Sequence, residues 1–322
     1  MTQIRLRTIL VAVADPASGV QPAVERGARL AKATGARLVL FHAAFDSALS
    51  GRPFFDSPRL AKSRGSLVSE RERLLDEHAD ELTADGINVD VKVTWEEPPH
   101  EAIVRAALRA KADLVVAGRH EPAERNSSQF RLTDWELMRQ CPRPLLVVHP
   151  TANRDDSHAV LAALDPTHRH DKPADLDVSI VRHAALIAAA LGVECHAVHS
   201  MAPTSYPRGA SAAARKRFDQ RMSSRVRRII RRADADVAAE HIVQGSAARS
   251  LPTLASQLPA QILAMGIVSR RWIERFVIGD TAESVIREVP CDLLLIKPDD
   301  FRLRLGRIKK EAIVLPKSKV RR

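Results

Sequence analysis

One pattern stated twice constrains this sequence more than anything else in it. "ILVAVADPAS" (9–18) and "AVLAALDPTH" (159–168) are both a short apolar run closed by Asp-Pro, which pairs Asp15 with Asp165. "LAKATGARLVLFHA" (30–43) matches "IAAALGVECHAVHS" (187–200), pairing Gly35 with Gly192 and His42 with His199. "ADLVVAGRH" (112–120) matches "AQILAMGIV" (260–268), and "CPRPLLVVHP" (141–150) matches "VPCDLLLIKP" (289–298). The offset is 150 at the first aspartate, 157 at the glycine and 148 from Gly118 onward, so the second copy carries an insertion around "HRHDKPADL". Two copies at this spacing mean two domains of one fold. The boundary is expected at 149–158, "HPTANRDDSH", giving domains over 1–151 and 155–300 and a separate C-terminal segment over 301–322.

Within each copy, strand-type apolar runs alternate with helical stretches. In the first copy "TILVAVA", "ARLVLFHA", "INVDVKVTW", "DLVVAG" and "PLLVVH" read as strands. Between them lie "QPAVERGARLAKATG", "SLVSERERLLDEHADELTADG", "HEAIVRAALRAK" and "TDWELMRQ", which read as helices. In the first of these, Val24, Ala28 and Ala31 share a face and Gly35 is placed as the C-cap. Five strands alternating with four helices predict an α/β unit with a parallel sheet covered on both faces. Ligands of such sheets bind beyond the carboxyl ends of the strands, where Asp15, Gly118, Asp165 and Gly266 all fall.

Charge and cysteine content narrow the setting. The net charge is +11, but 301–322 hold nine Lys/Arg and one Glu, so the other 300 residues carry only +3. A basic tail of this kind is a candidate for nucleic acid or another acidic surface, or is a solvated chain end. A second basic run, "RKRFDQRMSSRVRRIIRR" (215–232), reads as a helix with a core-facing stripe and a solvated basic back. Three scattered cysteines form neither a disulfide framework nor a zinc ribbon. No stretch has the length of a membrane span or of a signal peptide, and a cytoplasmic protein is expected. Aromatic residues make up only 4%, leaving few rings for single-stranded nucleic acid to stack on.

An aspartate after the first strand, and glycines between the fourth strand and the last helix, resemble the universal stress protein family in its tandem form. The resemblance covers about 5–300. It implies two five-stranded copies of the adenine nucleotide alpha hydrolase-like fold and a role in survival under starvation, oxidants or DNA damage. Nucleotide-binding members carry Gly-x2-Gly-x9-Gly followed by Ser or Thr. In the second copy Gly266, Ser269 and Gly279 occupy the three positions, and Asp280 and Thr281 follow. The first copy has Gly118, Glu121 and Arg131 in the same register. The resemblance therefore places any ATP in the second copy, on Asp165, Gly266, Ser269, Gly279, Asp280 and Thr281. There Ser269 crowds the loop and Asp280 sets a negative charge where phosphate would lie.

Each candidate also has a structural reading. Asp280 or Thr281 is expected as an N-cap, with Asp280-x-x-Glu283 as a capping box, and Thr133-x-x-Glu136 is the same device in the first copy. Asp15 and Asp165 equally close Asp-Pro turns. His168, His170 and His199, with Cys195, are zinc candidates without a standard spacing. His196 and His199 are three apart on a strand and point to opposite faces. Arg270, Arg271 and Arg275 either grip an anion or pack a loop over the sheet. No nucleophile elbow, Walker lysine or close carboxylate pair is present, so a non-catalytic protein is expected. A weak ATPase or ATP-binding switch in the second copy is the alternative. The last strands would be bare apolar edges, from which pairing of the two copies, and association of two chains, is expected.

Overall fold

The computed structural model describes residues 4–49, 58–119, 128–150, 158–167, 173–202, 205–206, 209, 211–267, 278–303 and 305. The chain divides into two compact units, one dominated by Leu6–Pro150 and the other by Thr151–Phe301. The first is built from β1 (Thr8–Ala12), α1 (Pro22–Thr34), β2 (Arg37–Ala44), α2 (Pro58–Ala84), β3 (Val89–Trp95), α3 (Pro99–Arg109), β4 (Leu114–Gly118), α4 (Ser128–Gln140) and β5 (Leu145–Val148). The second follows the same plan. Its elements are β6 (Ala159–Leu164), α5 (Ala174–Leu191), β7 (Glu194–Met201), α6 (Ala212–Ala233), β8 (Ala239–Gln244), α7 (Ala247–Gln257), β9 (Ala260–Gly266), α8 (Asp280–Glu288) and β10 (Asp292–Ile296).

Strand order is β3-β2-β1-β4-β5 in the first unit and β8-β7-β6-β9-β10 in the second, with parallel pairing throughout each. The order reverses between β1 and β4, and between β6 and β9, which are the switch points of the two sheets. Every residue of β1, β5 and β10 is buried, as expected for strands covered on both faces. Amphipathic helices supply the cover. α1 ends at Gly35 and α5 at Gly192, each left-handed with φ of 69° and 70°, so the C-caps read from the sequence are the ones used.

Two helices start earlier than their sequence implies. α2 begins at Pro58, ahead of the charged run, and α4 begins at Ser128, five residues before Thr133. Thr133 therefore lies inside a helix, and the expected Thr133–Glu136 capping box is not an N-terminus. Cap-type residues do precede both true starts, Ser57 before Pro58 and Ser127 before Ser128, but hydrophobic periodicity is weak in both segments.

The repeat also hides a shift. Ile9 pairs with Leu38 and Leu114, and its counterpart by register is Val160, which pairs with Cys195 and Ile262. The first strands are thus related by 151 residues and not by the 150 that aligns the two aspartates. The β6–β9 register slips between Ala159 and Val160. Asp165 consequently leaves its sheet one residue sooner than Asp15 does.

A buried histidine ties the first two strands together in each copy. His42 donates from Nδ1 to the Val13 carbonyl at 2.8 Å, and His199 does the same to the Leu164 carbonyl at 3.0 Å. α1 lies so close to β1 that a Cβ on Gly27 would stand 2.5 Å from Val11 Cγ2. Gly27→Ala is expected to lower unfolding stability by about 1–3 kcal/mol through overpacking. Urea unfolding of the two proteins checks this.

Candidate functional site

A cavity of about 550 Å3 opens at the switch point of the first unit. Its floor is the carboxyl ends of β1, β2 and β4, through Val13, His42, Ala117 and Gly118. Phe41, Phe45, Leu67, Ile103 and Leu137 give it apolar walls. Phe45 is held by Trp95, whose ring centroid is 5.6 Å away, and the buried Arg64 lies over the other ring at 5.5 Å while donating to the Leu49 carbonyl. The segment at Glu97–His100 is anchored by Arg105, which pairs with Glu96 and with Glu101.

Polar groups converge from four elements. Asp15 accepts from the Ala17 amide at 3.0 Å, and from Arg71 of α2 at 3.2 Å. Asp46, Glu97 and Asp134 add three more carboxylates to the lining, against the single guanidinium of Arg71 among the described residues. Burial lowers the pKa of His42, partly offset by its bond to Val13, and burial likewise lowers that of His100. Both rings are neutral hydrogen-bonding groups near neutral pH. Gln140 Nε2 lies 3.3 Å from His100 Nε2, which fits an accepting neutral ring.

The cavity meets α4 on its flank. Thr133 and Asp134 line it from the second turn, where backbone N–H groups are already spent on the helix's own ladder. Among the described residues, this wall therefore offers no free amide of the kind that holds a phosphate at a helix start.

In the second unit α8 begins at Asp280 with Gly279 as its N-cap, and no side-chain cap bond is made among the described residues. The expectation that Asp280 or Thr281 is the N-cap, in a box with Glu283, is corrected. Asp280 is the first helical residue and is exposed, as is Thr281, and the Glu283 amide bonds to the Gly279 carbonyl at 2.9 Å. A carboxylate in the first turn favours the helix dipole without capping an amide, so the misplacement is one residue. A Cβ on Gly279 would meet nothing within 4 Å, whereas one on Gly266 would stand 2.8 Å from Leu176 Cδ2. Gly266 is required for packing against α5, a role that accounts for it without a ligand. Asp165 accepts from the Thr167 amide at 3.1 Å, the same turn-closing bond that Asp15 makes, and its own amide donates to Asp177 at 3.2 Å. Ser269, Arg270, Arg271 and Arg275 lie outside the described residues, as do His168, His170 and the tail beyond 305.

The zinc expectation finds little support in the ligands that are described. His199 is bound to Leu164, while His196 contacts Glu194 at 2.9 Å and His241 at 3.1 Å. Burial pushes the Cys195 thiol up to about 12, so without a metal it stays protonated. Among the described residues no group of three or more His, Cys, Asp or Glu is placed to hold a metal, and no helix is long and apolar enough to cross a membrane.

Comparison with known proteins settles the lineage. The profile of the universal stress protein family matches twice, over residues 5–149 and 170–297. The chain belongs to that family. Universal stress protein E of Salmonella typhi is 26% identical over 315 residues, which span 91% of this chain and 95% of the relative. Universal stress protein E of Escherichia coli strain K12 matches to the same extent. Among solved structures, a universal stress protein of Archaeoglobus fulgidus superposes with a TM-score of 0.62 at 17% identity, covering 92% of this chain and 98% of that one. A putative universal stress protein of Pseudomonas aeruginosa reaches 0.68 at 23% identity, covering 92% and 94%. These two share the fold. The tandem α/β architecture expected from the repeat is thus the one found.

The sequence did not mark Arg71, His100, Asp46 or Asp134. They come from helices and loops far apart in the chain, and no motif joins them. Nearness to a strand end was the one available signal; it marked Asp15 and Gly118, and it applies equally to Asp46, just past the end of β2.

The histidines give the structure a pH dependence. Burial sets His42, His100 and His183 below the ordinary value of 6.5 in the fold. An unfolded imidazole takes up its proton near 6.5 and the folded ones only at lower pH, so this stability is complete above 6.5 and is lost as pH falls below it. Thermal midpoints measured from about pH 8 to about pH 5 are expected to fall, with a shallower fall in His42→Gln.

Proposed function

We propose that the chain is a non-catalytic stress-response protein whose first unit binds a nucleoside-sized molecule carrying no phosphate. Family membership supports the stress role. The observation that carries the ligand class is that, among the described residues, α4 meets the cavity by its flank, through Thr133 and Asp134. A volume of about 550 Å3 suits a small organic ligand. Apolar walls and two neutral imidazoles suit a flat heterocycle, and the carboxylates of the lining favour an uncharged or cationic molecule over a triphosphate. The protein acts by holding this ligand, and catalysis is not required of it. The three free, buried cysteines accord with a cytoplasmic setting. Survival under starvation, oxidants or DNA damage is the finer role in this reading.

A second reading concerns the second unit. The uncapped start of α8 at Gly279 leaves amides for a phosphate, which supports ATP there. Asp280 and Glu283 in the same turn oppose it.

Calorimetry with adenosine and with Mg·ATP separates the two. Adenosine is expected to bind at least about tenfold more tightly, a difference of about 1.4 kcal/mol. Gly118→Leu fills the cavity, since a Cβ there meets nothing within 4 Å, and is expected to abolish adenosine binding with little loss of stability. Tighter binding of Mg·ATP, abolished by Gly279→Val, overturns this order.

A further inference from the structure

α6 carries a charge that the fold does not ask for. Its buried seam is Met222, Val226, Ile229 and Ala233, which pack toward the unit's core. The other positions hold nine Lys/Arg and one acid, Asp219. α2, the helix at the same place in the first unit, holds five Lys/Arg and six Asp/Glu. Both helices cover their sheets, so coverage does not need the basic excess. It also has a cost, because Arg217 and Arg221, Arg227 and Arg231, and Arg228 and Arg232 are like charges one turn apart.

Some of these cations are employed within the unit. Arg227 pairs with Glu240 at 3.0 Å and Arg232 with Asp175 at 2.6 Å. Arg225 donates to the Pro166 carbonyl, and Arg215 lies over the Tyr206 ring. Arg217, Arg221, Arg228 and Arg231 are exposed, and their side chains make no hydrogen bond or ion pair among the described residues. Their spacing of i, i+4, i+11 and i+14 puts all four on one line along the helix, opposite the buried seam. Ser224 fills the i+7 position of that line. At 1.5 Å per residue the line is about 21 Å long.

We infer that this arginine line is a docking surface for the phosphate backbone of duplex nucleic acid. Four features select that partner among polyanions. Among the described residues the guanidiniums are unneutralised, and they are arranged in a row, which matches a row of phosphodiesters. The large hydrophobic side chains exposed among the described residues are Val20 and Leu108, neither of them on α6, so the face lacks an apolar anchor for an acidic protein. The helix's apolar side is spent on the core, so nothing remains to insert into a lipid surface. No ring projects from the line on which an unpaired base would stack, which favours duplex over single strand. Binding through backbone contacts alone is sequence-independent and steeply salt-dependent. The surface belongs to α6 of the second unit, far in sequence from the basic tail.

The test uses the full chain and a short labelled duplex DNA of mixed sequence, followed by fluorescence anisotropy across a salt series. The unmodified protein is expected to bind with a steep negative log–log salt slope. Replacing Arg217, Arg221, Arg228 and Arg231 by Gln is expected to weaken binding at ~50 mM salt by about tenfold or more and to flatten the slope by about 0.9 per arginine. The same four changed to Lys are expected to keep most of the slope. Thermal midpoints report folding. Should the fourfold variant not fold, the pair Arg217→Gln with Arg221→Gln, and the pair Arg228→Gln with Arg231→Gln, each remove about half the slope change. Binding by the Gln variant equal to that of the unmodified protein assigns any DNA affinity to the tail and overturns the inference. So does absence of duplex binding, or preference for phosphatidylglycerol vesicles or polyglutamate at matched charge.

Discussion

A parallel sheet covered on both faces has no dry, open place for chemistry except beyond the carboxyl ends of its strands. That constraint governs both units. β1, with every residue buried, and β6, with only one residue less than fully buried, must send their polar groups out at the end of the strand, where Asp15 and Asp165 sit. The buried histidines hold that end in shape. His42 and His199 fix the second strand of each sheet against the carbonyl at the end of the first. In the first unit the same ring that makes this tie also forms part of the cavity floor. Burial keeps it neutral, so the floor presents an imidazole and not a cation.

The two copies have diverged at their strand ends while keeping their frames. One unit turns the side of α4 toward its cavity, and the other presents the open start of α8. Free amides at a helix start and a helix flank are opposite surfaces for a phosphate. The arginine line of α6 is a third difference, carried on the outer face of one copy. Duplication thus supplied two scaffolds of equal plan, and substitutions on the solvent side of that plan gave them different surfaces.

The frame was legible in the sequence because its signals are local and repeated. Asp-Pro after an apolar run, and glycine after a helical face, each mark an element end by their own backbone chemistry, and Gly35 and Gly192 fall where they were expected. The starts of α2 and α4 were legible only as Ser57 before Pro58 and Ser127 before Ser128, and the later charged run and Thr133-x-x-Glu136 are stronger local signals that point past them. Aligning Asp15 with Asp165 gave the wrong register by one residue. A shift of that kind is fixed by pairing with β7 and β9, which no short phrase encodes. The cavity was the least legible feature. Arg71, His100 and Asp134 meet because three helices pack around one switch point, and their separations in sequence carry no trace of that meeting.

The central claim is that the ligand of this protein sits in the first unit and carries no phosphate. Amide hydrogen exchange, followed by mass spectrometry with and without adenosine or Mg·ATP, tests it directly. The account predicts that adenosine slows exchange around Val13–Asp15, His42–Asp46 and His100–Ile103. Protection appearing instead with Mg·ATP, and confined to Gly279–Ile286, would contradict it.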